Sequence, residues 1–297
     1  MSRRLLAFGL LFLPALVTAQ SPSSAEKQAT LQWLASLQQA NGAFAAGKEP
    51  DAPANVGTTS AALRAIKYFG GEVPNKEKCV AFVQSCAQSG GGIATTPGGK
   101  PDIISTFQGV SALTELGVIQ PGQESPPRQE AEKFFRAAEP KKFNELRLYA
   151  AALETMQTKD PRAEAWIGEL FKLQNPDGSF GQGHNRAFDS AGIAVTILRL
   201  GGKLAKVEAI GKTILDGQRP DGGWGSGATQ VSDLEATYRV MRGVWMLKLK
   251  PDTAAVRKFI ASCRHGDGSY AVQPGKPASV SATYYAGIVL HWLDKMQ

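Results

Sequence analysis

A short glycine-centred pattern recurs along this chain and constrains its fold more than any other feature of the sequence. The pattern is a glutamine, three residues, a glycine, one residue and an aromatic side chain. Its copies are Gln38–Phe44, Gln88–Gly92 without the aromatic, Gln174–Phe180, Gln218–Trp224 and Gly268–Tyr270 without the glutamine. Their glycines lie about 45 residues apart, or twice that distance where a degenerate copy falls near Lys141–Phe143. This period indicates an array of six structural repeats.

Each repeat contains two segments with helical periodicity. The first segments carry apolar residues on one side with charges between them, which is typical of half-exposed helices. They are predicted at Ala25–Gln39, Asn75–Gln88, Arg128–Arg136, Arg162–Gln174, Lys203–Gln218 and Thr253–Cys263. The second segments are apolar around most of their circumference, which is typical of helices buried on more than one side. They are predicted at Thr58–Phe69, Asp102–Leu116, Phe143–Met156, Phe188–Leu200, Asp233–Leu247 and Ser279–Leu293.

A chain that alternates six exposed helices with six buried ones can cover every apolar face by closing into a double ring. We therefore predict an all-α fold, an (α/α)6 toroid or barrel of six helix hairpins. The buried helices form its inner ring and the exposed helices its outer ring. The alternative is an open superhelix of helix pairs, which would leave a flank of the first and last pairs uncovered.

The turns between the two helices of a repeat are suited to tight bends rather than to catalysis. Pro176–Gly178 and Pro220–Gly222 are Pro-Asp-Gly sequences. They supply a fixed φ, a side chain that bonds its own backbone and a residue that is free to adopt positive φ. The aromatic side chain can then fold into the seam between repeats, and the glutamine can bond polar groups left open at the helix end. We interpret these motifs as structural links between repeats.

The N-terminus has the features of an export signal. Arg3 and Arg4 precede the apolar run Leu5–Val17, and Val17–Ala19 is a small-residue cleavage site. The apolar run is shorter than the roughly 20 residues that a spanning helix needs. We predict a cleavable signal peptide at residues 1–19, a single toroid domain at residues 20–297 and a secreted or periplasmic location.

Charge and cysteine content argue against two kinds of site. The net charge is +7, but it is spread along the chain without a basic patch interleaved with aromatics, so we expect no nucleic-acid partner. Cys86 and Cys263 occupy the repeat position that Leu37 and Leu173 fill elsewhere, which indicates small buried side chains. We expect neither a disulfide nor a cysteine-based metal site.

The repeat also carries a family resemblance. With its paired helices, it resembles the repeat of squalene and oxidosqualene cyclases and of protein prenyltransferase β subunits, over essentially the whole chain after residue 19. The copies that carry the resemblance are Gln38–Phe44, Gln174–Phe180, Gln218–Trp224 and Gly268–Tyr270. The resemblance implies an α/α toroid with an apolar central funnel that takes isoprenoid chains. The activity it implies is prenyl transfer or terpene cyclisation.

The sequence departs from this family at both of its known reaction centres. The prenyltransferase zinc motif is an Asp, a Cys two residues later and a His on the next inner helix. Asp189 matches the Asp, but Ala191 and Ala236 stand at the Cys and His positions. A lone carboxylate is a poor zinc site, so we expect no bound zinc and no other cofactor. The Asp-x-Asp-Asp acid of the cyclases is absent from the sequence, and Asp233 with Glu235 is the nearest approach.

Seven residues are candidates for the site. Inner helices that point in one direction gather their N-termini at one mouth of the funnel, where they favour an anion such as a diphosphate. The candidate basic residue matches a diphosphate-binding position of the prenyltransferases. The candidate acids stand at helix starts, where capping alone also favours a carboxylate, and the candidate tyrosines could equally bond a structural partner. The candidates are Asp189, Asp233 and Glu235 for catalysis, and Arg186, Tyr238, Arg239 and Tyr284 for substrate binding.

Three functional hypotheses follow. The first is an exported prenyltransferase- or terpene-cyclase-like enzyme with an isoprenoid or isoprenoid diphosphate in an apolar cavity. The second is a toroid that binds a hydrophobic small molecule, or serves as an interaction scaffold, without turnover. The third is a carbohydrate-active α/α-barrel enzyme. Export argues against protein prenylation, because prenyl diphosphates and their cysteine acceptors are mainly intracellular. Association with a membrane surface and the existence of a partner subunit stay open.

Overall fold

The computed structural model describes residues 21–227 and 231–296. Within these ranges the chain forms twelve α-helices, one short 3-10 helix at Gly183–Asn185, and isolated β-bridges but no strand. The all-α prediction is therefore confirmed. The signal peptide predicted at residues 1–19 lies outside the described residues. No helix in the described part of the chain is both long and apolar enough to span a bilayer.

The helices form two concentric rings. The outer helices are α1 (Ser24–Ala35), α3 (Lys76–Ser85), α5 (Pro126–Ala137), α7 (Ala163–Phe171), α9 (Val207–Asp216) and α11 (Thr253–Ser262). The inner helices are α2 (Val56–Phe69), α4 (Ile103–Glu115), α6 (Phe143–Met156), α8 (Arg186–Arg199), α10 (Leu234–Met246) and α12 (Val280–Lys295). Each inner helix packs against the next, and α12 packs against α2. The ring is therefore closed, as predicted, and the open superhelix is excluded.

In four of the turns, at Gly42, Gly91, Gly222 and Gly268, the glycine lies on the backbone of the next outer helix, whereas Gly178 meets the Lys206 side chain just before α9. Gly222 has a φ of +97°, and a Cβ added there would lie 2.0 Å from the carbonyl oxygen of Ala255 in the first turn of α11. Gly268, in the last repeat, has a φ of +88° and lies in the same way against Thr30 of α1. The Thr30 hydroxyl also donates to the Gly268 carbonyl at 2.7 Å. The ring thus closes through the same contact that joins consecutive repeats.

The glutamine of the motif makes a second link between repeats. Gln218 donates from Nε2 to the Gly222 carbonyl and accepts the backbone N–H of Asp252, both at 3.0 Å. Asp252 caps α11, so this side chain fastens one turn to the start of the following outer helix. Gln38 accepts the N–H of Asn75, which precedes α3, at the same distance. The predicted structural role of the glutamine is confirmed at these two positions.

At the aromatic position of the motif, the backbone N–H is bonded to a hydroxyl on the inner helix of the same repeat. The aromatic residues Phe44, Phe180, Trp224 and Tyr270 are all buried. The backbone N–H at each position, and at Ile93 in the second repeat, donates to a threonine or serine hydroxyl 2.9–3.1 Å away. The acceptors are Thr59, Thr106, Ser190, Thr237 and Thr283. Because this contact recurs, the inner helices enter the ring in the same direction.

The third repeat lacks the motif and uses an arginine instead. Arg162, at the start of α7, donates to the carbonyls of Ala138 and Phe135 at the end of α5, at 2.9 and 3.1 Å. Its guanidinium is held by the buried Asp160 carboxylate at 2.8 Å, and that carboxylate also accepts the Tyr149 hydroxyl. This network satisfies helix-end carbonyls that the motif glutamine does not reach here.

The three cysteines lie in the core. Cys79, Cys86 and Cys263 are buried and unpaired. Burial raises the pKa of the Cys79 and Cys263 thiols to about 12. They are therefore small buried side chains without thiolate character, as the repeat alignment predicts for Cys86 and Cys263.

The closing contact at Gly268 predicts a specific loss of stability. Gly268→Ala places a methyl group against the backbone of α1 and also adopts a positive φ, whereas Gly70→Ala, at a φ of +79°, meets no atom within 4 Å. Both variants should lose roughly 1–2 kcal/mol of unfolding free energy from the left-handed conformation. Gly268→Ala should lose about 1–3 kcal/mol more from the steric overlap. Urea denaturation of both variants measures the difference, and equal losses would show that this seam does not hold the ring closed.

Candidate functional site

The bore of the inner ring contains two cavities. The first, which we call the upper chamber, has a volume of about 30 Å³ and lies toward the N-terminal ends of the inner helices. The second, the lower chamber, has a volume of about 160 Å³ and lies toward their C-terminal ends. The two chambers meet at four shared side chains, which are Arg147, Arg199, Tyr238 and Arg242.

The walls of the two chambers differ in chemistry. One side of the upper chamber is apolar and consists of Phe143, Phe188, Gly192 and Val195. The lower chamber is polar, and its additional lining includes Arg64, Tyr68, Ser111, Thr114, Glu115, Glu154, Thr155 and Tyr284. The predicted apolar funnel is therefore wrong for most of the bore. A helix can be apolar on average and still direct one arginine into the bore, since the arginine stem packs among apolar neighbours.

Four arginines from four inner helices converge on the bore, and we call Arg64, Arg147, Arg199 and Arg242 the bore arginines. Arg64 donates to the Tyr284 hydroxyl at 3.0 Å and lies 4.1 Å from the centre of its ring. Arg242 lies 4.7 Å from the centre of the Trp292 ring and is 3.4 Å from the Tyr238 hydroxyl. These contacts use aromatic rings and phenols rather than carboxylates.

Carboxylates are scarce around the bore arginines. Arg199 pairs with Glu154 at 2.9 Å, and Glu115 is taken by Lys67 at 2.8 Å. Among residues 21–227 and 231–296, the other three bore arginines have no ion-pair partner. Arg147 donates to the Asn144 side chain at 2.7 Å, and its buried Nε has no hydrogen-bond partner in the same residues.

The pKa shifts of Arg147 and Arg199 express this excess of positive charge, whereas at Arg64 and Arg242 the effect of burial is outweighed by the Tyr284 and Tyr238 phenols, which raise the pKa. Burial, together with the nearby guanidinium of Arg239, lowers the pKa of Arg147 to about 10. Burial and the charge of Arg242 also lower the pKa of Arg199. The pKa of a guanidinium falls when the group is shielded from water and lies near other positive charges, because both disfavour its charged form. The bore therefore favours any negative charge that can enter it.

Tyr238 stands at the junction of the two chambers and responds to this field. Its hydroxyl lies 3.2 Å from that of Tyr284, and its ring stacks on Tyr285 with 4.8 Å between the ring centres. Burial opposes ionisation of the phenol, but the positive charges of Arg242 and Arg64 outweigh burial and lower the pKa of Tyr238 to about 7. Burial raises the pKa of the neighbouring Tyr284 phenol. Tyr238 is thus the phenol of this cluster that ionises near neutral pH.

The chambers include three of the seven predicted site residues. Tyr238 and Arg239 line the upper chamber, and Tyr238 and Tyr284 line the lower one. Arg239 also lies 5.5 Å from the centre of the Phe188 ring and forms an ion pair with Glu235. Glu235 is therefore connected to the upper chamber through Arg239, without lining it.

The other three predicted residues lie at the N-terminal ends of α8 and α10, outside both chambers. Asp233 caps α10 and accepts the N–H of Ala236 at 2.7 Å, and burial raises its pKa. Asp189 lies against the turn at Gly181, and burial raises its pKa as well. Arg186 pairs with Asp177 of its own repeat and donates to the Ser179 hydroxyl at 2.9 Å. These contacts give all three residues a local structural partner or a capping role.

Arg186 does border a separate surface cleft. This cleft has a volume of about 300 Å³ and is also lined by His184, Thr213, Asp216 and Arg219. In the described residues no group of three or more His, Cys, Asp and Glu side chains is placed to hold a metal ion, here or elsewhere. The expectation that the protein works without zinc stays a prediction.

Sequence reasoning missed the bore arginines, although a signal for them exists. Arg64, Arg199 and Arg242 each interrupt an apolar run of a buried helix, as in Leu63-Arg64-Ala65. Charged residues are almost never fully buried unless paired, so an arginine in such a run has to face an internal cavity or a partner. Arg147 gives a weaker signal, because it follows the polar start of α6.

Comparisons with known proteins show which family and which solved structures share this architecture. A family model described as a prenyltransferase alpha-alpha toroid domain matches residues 5–138 and 146–297. No curated protein matches the chain. The type II terpene cyclase MstE from Scytonema, in its apo form, superposes with a TM-score of 0.61 at 13% identity, over 92% of this chain and 97% of that chain.

Two further solved structures are similar. A variant of the same cyclase in complex with its substrate, geranylgeranyl dihydroxybenzoate, gives a TM-score of 0.62 at 11% identity, over 92% of this chain and 96% of that chain. A protein from Actinoplanes gives 0.61 at 12% identity, over 92% and 99%. At these identities the likeness is one of fold, and it confirms the toroid prediction.

The field of the bore arginines predicts that one tyrosine ionises far below its usual range. As pH rises through about 7, the ultraviolet difference spectrum of the folded protein should gain the absorbance of one phenolate. Tyr238→Phe should remove this step and leave ionisation near the ordinary tyrosine pKa of about 10. A spectrum without a step below about pH 9 would contradict the described electrostatics.

Proposed function

This chain belongs to the prenyltransferase α-α toroid family, and from that premise we propose that its bore binds an isoprenoid compound for prenyl transfer or cyclisation. The observation that carries the proposal is the upper chamber. It lies inside a closed ring of inner helices and has one apolar wall facing one wall of guanidinium groups. Such a chamber suits a ligand with a hydrocarbon chain at one end and a negatively charged group at the other.

The apolar wall supplies the contacts that a prenyl chain needs. Phe143 and Phe188 present aromatic rings, Val195 a branched side chain and Gly192 an open surface without a side chain. Burial of hydrocarbon against such a wall stabilises a complex by about 25 cal/mol for each Å² removed from water. Shared fold with a cyclase that holds geranylgeranyl dihydroxybenzoate supports the same ligand class here. That ligand also combines a prenyl chain with an acidic head.

Entry of the chain requires side chains at the mouth to move. Ligand pockets generally have volumes of about 300–1,000 Å³, which exceeds that of either chamber. Phe143 is 39% exposed at the N-terminal end of α6, and Arg239 lies over the Phe188 ring and forms an ion pair with Glu235. Rotation of these two side chains would open the upper chamber to the mouth of the bore. We propose that an isoprenoid binds by this route.

The proposal has two forms, which differ in whether a reaction follows binding of the ligand. In the enzymatic form, the toroid transfers or cyclises the prenyl group. Asp189, Asp233 and Glu235 would be its acids, although none of them lines a chamber. In the other form, the toroid retains the ligand without turnover. Incubation with farnesyl and geranylgeranyl diphosphate, with and without zinc, followed by product analysis, distinguishes the two forms. If no prenyl compound is retained in either assay, the proposal fails and a carbohydrate ligand becomes the next candidate.

The location of the protein affects how it should be assayed. We propose that the segment at residues 1–19 directs export, which would place the ligand outside the cytoplasm. The protein produced from residue 20 onward is therefore the appropriate sample. The proposed export predicts that the secreted or periplasmic fraction contains a chain starting near Gln20, which mass spectrometry can identify.

A bore-filling variant tests whether the ligand binds in the upper chamber. Gly192→Leu introduces a side chain into that chamber, whereas Gly168→Leu places the same side chain on α7, where a Cβ meets no atom within 4 Å. Both replace a helical glycine by a good helix former. Retention of geranylgeranyl diphosphate should fall by about tenfold or more for Gly192→Leu and stay unchanged for Gly168→Leu. Equal retention by both variants would exclude the upper chamber as the binding site.

A further inference from the structure

We propose that the bore arginines, together with the Tyr238 and Tyr284 hydroxyls, form a binding site for a phosphate-type oxyanion at the middle of the bore. The ligand class is a phosphate or diphosphate, either free or as the head group of a larger molecule. As the head-group site of the bore ligand it rests on the proposed function, but its geometry does not depend on the prenyl chain. It also differs from the mouth of the bore, where the predicted diphosphate residue Arg186 lies.

The first argument is convergence. Arg64, Arg147, Arg199 and Arg242 come from α2, α6, α8 and α10, and all four line the lower chamber. Arg64 and Arg242 are each the ninth residue of their helices, so they reach the bore at the same depth. A chamber of about 160 Å³ has room for one tetrahedral oxyanion with accompanying waters. Residues from four separate helices thus surround one small polar space.

The second argument is unused donor capacity. A guanidinium has five N–H donors in a planar fork that matches the oxygen atoms of phosphate or carboxylate. Arg147 uses one nitrogen, toward Asn144, and its buried Nε has no partner in the described residues. Arg242 makes one long contact, at 3.4 Å to Tyr238. Buried donors are normally satisfied, so the unpartnered Nε of Arg147 indicates a ligand that accepts hydrogen bonds.

The third argument is charge. Buried charges are normally paired, because removal from water is costly without an opposite charge. Glu154 neutralises Arg199, but the described chain provides no ion-pair partner for the other three bore arginines. Burial and the nearby guanidiniums of Arg239 and Arg199 lower the pKa of Arg147. A multiply charged anion would relieve the repulsion among all four guanidiniums at once.

Tyr238 makes the site sensitive to pH. As a neutral phenol it can donate a hydrogen bond to an anion, and as a phenolate it supplies a negative charge of its own to the same arginines. Its pKa of about 7 means that the phenolate form increases as pH rises above neutrality. Anion affinity should therefore fall as pH rises through 7. The other charged and titratable groups around it are Arg64, Lys67 and Tyr68 of α2, Glu115 of α4, Arg147 and Glu154 of α6, Arg199 of α8, Arg239 and Arg242 of α10, and Tyr284, Tyr285 and His291 of α12.

Anion titration of the protein lacking residues 1–19 is the direct test. Sulfate is the main probe because its charge does not change near neutral pH, and inorganic phosphate and pyrophosphate are the comparisons. Each anion should raise the melting temperature, since it binds the folded state. Calorimetry should give a sulfate affinity that is several-fold higher at about pH 6 than at about pH 8, and Tyr238→Phe should abolish this difference. Failure of all three anions to bind would overturn the proposal.

Two arginine variants locate the site. Arg147→Gln should lower sulfate and pyrophosphate affinity by about tenfold or more, whereas Arg136→Gln should leave it unchanged. Arg136 lies on α5 with its side chain 69% exposed, so it controls for the loss of one positive charge. Without added anion, Arg147→Gln should melt no lower than the parent protein, because it removes an unpaired buried charge. Equal loss of affinity in both variants would show that binding is diffuse and would overturn the site.

The outcomes for the anion and the prenyl chain are separable. If pyrophosphate binds and competes with geranylgeranyl diphosphate, the site holds the head group of that ligand. If pyrophosphate binds but no prenyl compound does, the anion site stands and the proposed function fails. If geranylgeraniol, which has no charge, binds as tightly as geranylgeranyl diphosphate and none of the three anions binds, the proposed function stands and the anion site is overturned.

Discussion

The structure depends above all on one kind of contact, made at four of its turns, in which a glycine without a side chain lies on the backbone of the next outer helix. At Gly222 there is no room for a Cβ, because the Ala255 carbonyl occupies its place. The φ of +97° at the same residue is accessible to glycine and disfavoured for other residues. The contact fixes the spacing between consecutive repeats, and at Gly268 it joins the last repeat to the first. A ring of six repeats results, without a free edge that would need capping.

Closure of the ring determines what meets in the bore. Because five of the six repeats share the hydroxyl contact between turn and inner helix, equivalent positions of their inner helices face the bore at similar depth. Tyr238 and Tyr284 are each the fifth residue of their helices, and their hydroxyls meet. The guanidiniums of Arg64 and Arg242 reach the same level and lower the pKa of Tyr238. The chemistry of the bore is therefore a consequence of repeat geometry acting on a few residues that differ between repeats.

The sequence predicted the ring but not the contents of its bore, for physical reasons. Repeat period, helix amphipathicity and turn glycines are local signals that occur several times, so together they identify α2, α8 and the other inner helices with small errors at their ends. Whether an inner helix directs Arg64 or Leu63 at the bore depends on its rotation in the ring, which the averaged apolar pattern does not reveal. The expectation of an apolar funnel came from the family resemblance, and the averaged apolar pattern gave no signal against it. Acids at helix starts, such as Asp233, were conspicuous in the sequence, yet the structure places Asp233 as a cap.

The central claim is that a closed ring of helices concentrates positive charge at mid-bore, where an oxyanion supplies the missing counter-charge. The most direct measurement is a crystal structure of the protein soaked in tungstate or selenate, with the anion located by its anomalous scattering. The account predicts an anomalous peak in the lower chamber, within hydrogen-bonding distance of Arg147 and Arg242. Peaks confined to the outer surface, or to the cleft beside Arg186, would contradict it.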